Sequence, residues 1–177
     1  MNLPPSGKYK WLPTLYSVVE TLHPKKIIEL GPGWGVTTIT IALACKENNI
    51  DANINAYDIW NDSYWGTYNN TLERYKEWGV SEYINLYNKD FYEWVKTDED
   101  FDLLYFDIDN NSSKILDLYN KVRPQIENGS VVLFEGGSDV RPGFDLAKEK
   151  INYKVLTDNI KYSLSIIYDE SKWSLGY

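Results

Sequence analysis

The sequence predicts an α/β fold in which a mostly parallel sheet alternates with helices and ends in an antiparallel hairpin. Apolar runs of strand length alternate with segments of helical periodicity, as expected when parallel strands are joined by crossover helices. A glycine-rich turn with glycines at 31, 33 and 35 follows the first such run. The last two apolar runs are separated by only a short polar turn, which favours an antiparallel pair.

The first element is a helix, because apolar residues recur at helical spacing from Trp11 to Leu22 and the segment ends before Pro24. We expect it to pack at one edge of the sheet. Strands are predicted at about 26–30, 53–58, 83–88, 101–107 and 130–135, helices at about 36–47, 66–78 and 113–124, and the hairpin at 153–156 and 163–168. Gly129 supplies the turn before the fifth strand.

Composition limits the kind of protein. The 177 residues predict a single domain, 1–177, and the 43% hydrophobic and 25% charged content is ordinary for a globular protein. The chain has neither an apolar run of membrane-span length nor a signal-peptide core at its start, so we expect a cytoplasmic protein with no membrane partner. Cys45 is the only cysteine, which excludes an intrachain disulfide. The net charge of −8 opposes a nucleic-acid partner.

The glycine turn is the main functional signal. Glycines let a ligand approach the backbone, and the helix that follows presents unpaired N–H groups in its first turn, so this turn can cradle a nucleotide. A dinucleotide-binding fingerprint G-x-G-x-x-G would require a third small residue where this chain has Val36. The pattern here is instead acid-x-G-x-G-x-G, which begins at Glu29.

Acidic residues follow the other predicted strands, at Asp58, Asp90, Asp107 and Glu135. Ligands of open parallel sheets bind beyond the carboxyl ends of the strands, so these acids should converge on one crevice. Alternatively, each acid simply ends a strand, because acids are poor strand formers and good helix caps. The complete set, following a glycine turn at these intervals, favours a shared ligand site.

The glycine turn resembles motif I of the class I S-adenosylmethionine-dependent methyltransferases. The matching residues are Glu29, Gly31, Pro32, Gly33, Trp34 and Gly35. The resemblance covers about residues 11–170 and implies the Rossmann-like seven-stranded methyltransferase sheet, mostly parallel with a C-terminal antiparallel hairpin. It also implies that S-adenosylmethionine is the cofactor and that the backbone of this motif faces the methionine half of it.

The same resemblance assigns roles to the later acids. Asp58, 23 residues past the last glycine of the turn, matches the acid that binds both ribose hydroxyls, and Ile59 matches the residue that packs on the adenine face. Asp90 and Phe91 match the positions that read the adenine edge. Asp107 matches motif IV, beside the transferring methyl group.

The run from Phe101 to Asp109 is also similar to motif IV of small O-methyltransferases of the catechol type. In that subfamily the first acid and a later Asp-Asn pair bind Mg²⁺, whereas the later pair here is Glu135 followed by glycine. A Mg²⁺ site from Asp107, Glu135 and either Asp109 or Asp139 therefore stays open, because this ion tolerates few carboxylates and several waters. The missing amide oxygen favours a metal-free site, in which Asp107 or Glu135 is the catalytic base or binds a cationic acceptor.

Aromatic residues accompany these motifs. Trp34, Trp60 and Trp65 fall in loops that should border the crevice, where they form a lid, stack on an aromatic acceptor or pack in the core. The only histidine, His23, lies far in sequence from every motif, which gives no support to a Ser-His-Asp triad.

The predicted reaction is methyl transfer from S-adenosylmethionine to an oxygen or nitrogen of a small-molecule acceptor. Three alternatives remain at this stage: another transferase on the same fold, a noncatalytic cofactor-binding partner subunit, and an oxidoreductase, which Val36 disfavours. The segments expected to bind the acceptor are short, so a further alternative is that a homo-oligomer completes the pocket.

Overall fold

The computed structural model describes residues 4, 9–61, 63–109, 111–138, 145–157 and 162–173, except for the side chains of residues 63, 145 and 146. The helices are α1 Leu12–Leu22, α2 Val36–Glu47, α3 Tyr68–Glu77, α4 Phe91–Trp94, α5 Ser112–Glu127 and α6 Asp145–Lys150. The strands are β1 Lys26–Leu30, β2 Asn53–Asp58, β3 Ile84–Asn88, β4 Leu103–Phe106, β5 Val131–Glu135, β6 Lys154–Val155 and β7 Leu164–Ile167. Within these ranges, no helix is both long and apolar enough to cross a membrane.

The seven strands form one sheet in the order β3-β2-β1-β4-β5-β7-β6. The first five strands are parallel, whereas β7 is antiparallel to both β5 and β6. The predicted mostly parallel sheet with a C-terminal antiparallel hairpin is therefore confirmed. Strand order reverses at β1, whose last residue Leu30 pairs with Tyr57 of β2 and Phe106 of β4. This register brings the residues that follow these strands to the same edge of the sheet.

Helices cover both faces of the sheet, so the central strands are buried on both sides. Helices α1 and α2 pack on one face and α4 and α5 on the other. Every residue of β4 and β5 is buried, which explains why these strands read as continuous apolar runs in the sequence.

Some elements differ from the predictions. Helix α1 packs against α2 and the face of the sheet instead of an edge, because Trp11 is fully buried against Tyr105 of β4. The four-residue helix α4 was not predicted; it begins at a capping box formed by Asp90 and Glu93. Helix α5 continues past Pro124 to Glu127.

Candidate active site

A cleft of about 1340 Å³ lies beyond the carboxyl ends of the parallel strands. Its lining includes most of the residues predicted from the sequence: Gly31, Pro32, Gly33, Trp34, Asp58, Ile59, Asp90, Phe91, Asp107 and Glu135. Two predicted residues, Glu29 and Gly35, do not line it. The structure therefore brings together residues from the ends of β1, β2, β4 and β5 and from the start of α4.

The first glycine of the turn is required by the close approach of two strand ends. Gly31 has a φ of 89°, and a Cβ atom there would lie 2.5 Å from the backbone oxygen of Asp107. The N–H of Gly31 donates to the carbonyl of Tyr57, 2.9 Å away. A side chain at position 31 would therefore push β4 away from the turn.

The last glycine of the turn serves helix packing. Gly35 has a φ of 76°, and a Cβ atom there would lie 2.5 Å from Cε1 of Tyr75 in α3. Tyr75 is fully buried, and its hydroxyl donates to Thr38 of α2. Gly35, predicted as a cofactor contact, thus lies against α3 and allows α2 and α3 to approach each other.

Glu29 is fully buried beneath the glycine turn and reaches the cleft only indirectly. Its carboxylate accepts a hydrogen bond from the hydroxyl of Thr37, which does line the cleft. Burial raises the pKa of Glu29 to about 7; the hydroxyls of Thr37 and Thr38 oppose this increase, and the negative charge of Asp58 adds to it. Thr37 was not predicted from the sequence, although its place in the first turn of the helix after the glycines is a signal for ligand binding.

Asp58 joins the end of β2 to the glycine turn. Its Oδ2 accepts the N–H of Gly33 at 3.0 Å, and its Oδ1 accepts those of Ile59 at 2.7 Å and Trp60 at 3.1 Å. A carboxylate has about four lone-pair sites, so Asp58 can still accept hydrogen bonds from a ligand.

The segment after β2 and helix α3 fix the other side of the turn. The carbonyl of Gly33 accepts hydrogen bonds from the hydroxyl of Thr71 at 2.6 Å and from the indole N–H of Trp60 at 3.3 Å. Arg74 donates to the carbonyl of Trp34 at 3.0 Å. These contacts hold the turn in one conformation before any ligand binds.

The part of the cleft near β3 is formed by Asp90, Phe91 and Tyr57. The carboxylate of Asp90 caps α4 by accepting the N–H of Tyr92 at 2.8 Å, so this acid has a structural function whatever else it binds. Tyr57, which the sequence analysis missed, stacks on Tyr87 with ring centroids 4.9 Å apart.

At the other end of the cleft, Asp107 and Glu135 follow Phe106 and Phe134, which are paired in register on β4 and β5. Glu135 is only 3% exposed. Tyr9, Lys114 and Tyr162 also line the cleft and were not predicted from the sequence.

Two cleft residues at this end form an ion pair: the Lys114 ammonium lies 3.5 Å from a carboxylate oxygen of Asp109. Tyr105 of β4 is fully buried, and its hydroxyl has no hydrogen-bond partner among the described residues. Burial, followed by the negative charges of Asp107 and Glu135, raises the pKa of Tyr105 well above its ordinary value.

The structure describes three of the four acids that were considered as Mg²⁺ ligands. Across the described ranges, no three histidine, cysteine, aspartate or glutamate side chains are arranged to hold a metal ion. Asp107, Asp109 and Glu135 all line the cleft, whereas Asp139 lies outside the described residues.

Solved structures share this fold. The O-methyltransferase TomG from Streptomyces achromogenes, involved in tomaymycin synthesis and solved with SAM, is 12% identical, with a TM-score of 0.65 over 94% of this chain and 82% of that one. An SAH-bound methyltransferase from Podospora anserina is 15% identical, with a TM-score of 0.63 over 89% of this chain and 76% of that one. A methyltransferase from Geobacter sulfurreducens is 13% identical, with a TM-score of 0.66 over 94% and 79%.

A family model described as a methyltransferase domain matches residues 28–135. No curated protein sequence matches the chain. The matched region runs from β1 to the end of β5 and contains the glycine turn, Asp58, Asp107 and Glu135. The chain therefore belongs to this methyltransferase domain family and is a methyltransferase.

Proposed function

We propose that this methyltransferase binds S-adenosylmethionine in the cleft and transfers its methyl group to an oxygen or nitrogen of a small molecule bound beside it. The observation that carries the proposal is that the glycine turn, Asp58, Asp107 and Glu135 line one cleft where strand order reverses. This is where ligands bind in open parallel sheets. Two solved structures with this fold, TomG and the Podospora anserina methyltransferase, contain SAM and SAH respectively.

The residues present suit such a cofactor. Asp58 is fixed by three backbone N–H groups and keeps about one of its roughly four lone-pair sites, which can accept a ribose hydroxyl. Ile59, 39% exposed in the cleft, offers an apolar surface to the adenine face, and Asp90 with Phe91 borders the adenine edge. The backbone of the glycine turn, including Gly33, faces the methionine half. When bound, the cofactor supplies an activated methyl group.

The residues at the ends of β4 and β5 would handle the acceptor. Asp107 and Glu135 lie at the ends of adjacent strands and line the cleft, so either carboxylate can orient the acceptor or take its proton. Holding donor and acceptor at attack distance supplies most of the catalysis for an already activated methyl group. The glycine after Glu135, in place of an amide side chain, favours a metal-free site.

Calorimetry and thermal melting test the cofactor. S-adenosylhomocysteine should bind and raise the melting temperature, since a ligand at 100 times its Kd stabilises the native state by about 2.7 kcal/mol. NAD⁺ should not. Asp58→Ala should weaken binding, whereas Asp51→Ala, which changes an exposed acid outside the cleft, should not. Stabilisation by NAD⁺ alone would overturn the proposal.

Turnover with methyl-labelled S-adenosylmethionine and a panel of phenols, amines and carboxylic acids tests the reaction. Label should move to an oxygen or nitrogen of one of these acceptors. Binding of S-adenosylhomocysteine without transfer to any of them would favour the noncatalytic partner subunit. A product carrying a 3-amino-3-carboxypropyl group, with the label left on methylthioadenosine, would identify another transferase on the same fold.

A further inference from the structure

Three exposed aromatic residues lie in the glycine turn or next to it. Trp34 is 38% exposed, Tyr64 74% and Trp65 48%, and all three line the cleft. The rings of Tyr64 and Trp65 pack edge to face with their centroids 4.9 Å apart. Exposed aromatic residues gathered at one cleft mark a binding surface, because their hydration is unfavourable unless a ligand covers them.

Trp34 is held rigidly within this group. Its indole N–H donates to the carbonyl of Tyr64 at 2.9 Å, and its own carbonyl accepts a hydrogen bond from Arg74. Its ring packs directly on Gly66, where an added Cβ atom would lie 3.2 Å from Cδ2 and 3.3 Å from Cε3. The ring is therefore ordered before any ligand binds, which lowers the entropic cost of using it for recognition.

The chemistry of an indole ring indicates what it recognises. The face of an aromatic ring attracts cations, and tryptophan does so most strongly. In the described part of the chain, lysine ammonium groups lie over the rings of Tyr57 and Tyr168, and no cationic side chain lies over Trp34. Trp34 belongs to the turn that, in the proposed function, faces the methionine half of the cofactor. The sulfonium group of that half carries a positive charge.

We propose that Trp34, with Trp65 beside it, recognises the sulfonium cation of the donor and thereby distinguishes S-adenosylmethionine from the neutral product S-adenosylhomocysteine. This inference rests on the proposed function. Transfer of the methyl group removes the positive charge, so the product loses an interaction that the donor makes with Trp34. The aromatic surface then acts as a specificity determinant and favours product release.

Calorimetry with three ligands isolates this contribution without a known acceptor. S-adenosylmethionine carries the sulfonium, sinefungin carries a primary ammonium in place of the methylsulfonium, and S-adenosylhomocysteine is neutral at this position. Trp34→Leu should lower the preference for each cationic ligand over S-adenosylhomocysteine by roughly 2- to 30-fold. Trp34→Phe keeps a ring face and should retain most of the preference. Trp173→Leu is the matched control, because Trp173 is 41% exposed and does not line the cleft.

The outcomes separate this inference from the proposed function. An unchanged preference in Trp34→Leu, an equal decrease in Trp173→Leu, or equal weakening of all three ligands would overturn the inference. A decrease in Trp34→Phe as large as in Trp34→Leu would also overturn it, because the indole hydrogen bond to the Tyr64 carbonyl would then be responsible. If the wild-type protein binds none of the three ligands, the proposed function itself fails.

Discussion

Replacement of the buried carboxyl of Glu29 by an amide should remove a pH dependence of stability. In the folded protein, burial raises the pKa of Glu29 from an ordinary 4.5 to about 7. Below pH 4.5 the carboxyl is protonated in both states and carries no penalty. Between these values the unfolded chain ionises while the folded protein keeps the proton, so stability falls as pH rises, by about 1.4 kcal/mol per pH unit.

Across the full window from pH 4.5 to pH 7, the free energy of unfolding decreases by about 3 kcal/mol because of Glu29. Above about pH 7 this contribution no longer changes with pH. Glu29→Gln cannot ionise, so its free energy of unfolding should lack this component. The amide nitrogen would replace Oε2, which has no hydrogen-bond partner among the described residues. Burying its two N–H donors there adds a pH-independent cost of about 1–3 kcal/mol. The informative quantity is therefore the slope with pH and not the stability at one pH.

Urea unfolding of the wild type and of Glu29→Gln at half-unit intervals from pH 5 to pH 8 measures that slope. The difference in free energy of unfolding between the two proteins should change by about 2.5 kcal/mol across the series, in favour of the variant at high pH. Glu77→Gln, which changes an exposed glutamate, should run parallel to the wild type. Parallel curves for Glu29→Gln and the wild type would refute the reasoning, because Glu29 would then ionise normally.

Three further predictions concern the cleft. Asp58→Ala should weaken S-adenosylhomocysteine binding, measured by calorimetry, by about one to two orders of magnitude. It should also lower the free energy of unfolding by about 1–3 kcal/mol, because three backbone N–H groups lose their acceptor. An unchanged Kd would contradict the ribose assignment. Gly31→Ala should lower stability by about 2 kcal/mol or more in urea unfolding, because its Cβ atom would lie 2.5 Å from the Asp107 carbonyl oxygen; wild-type stability would refute that packing argument. Asp107→Asn and Glu135→Gln should each reduce turnover about 100-fold or more with little change in cofactor affinity. EDTA should leave the turnover of the wild type unchanged. Activity that is lost with EDTA and restored by Mg²⁺ would establish the metal-dependent alternative.

The sequence predicted elements well where both of their ends carry a strong local signal. Strands β1 and β2 and helix α2 have the predicted bounds. The glycine turn separates β1 from α2, and the polar residues around Asn48 and Asn49 separate α2 from β2. Strand β6 has only two residues, because an edge strand pairs on one side only and apolar pattern alone does not fix its length. Helix α4 was missed because four residues are too few for a helical period to show.

Site residues, too, could be predicted where a local sequence signal marks them and not where only tertiary packing brings them together. Residues next to strand ends, such as Asp58 and Glu135, could be located because parallel topology brings all carboxyl ends to one edge. Tyr9, Lys114 and Tyr162 reach the cleft from α5 and from segments distant in sequence, so their convergence depends on tertiary packing that no local pattern encodes.

The contact between the last glycine of the turn and α3 affects how this motif should be interpreted in distant relatives. Gly35 is constrained both by its positive φ and by the ring of Tyr75, and neither constraint involves the cleft. A descendant that lost its ligand would still be selected to keep this glycine, whereas selection on Asp58 would fall to what its three backbone hydrogen bonds require. A smaller residue in place of Tyr75 would relieve the shortest steric contact but leave Thr71 close to position 35 and the backbone constraint unchanged. Motif searches based on the glycines therefore detect shared architecture, and inferences about shared chemistry should depend on the acids.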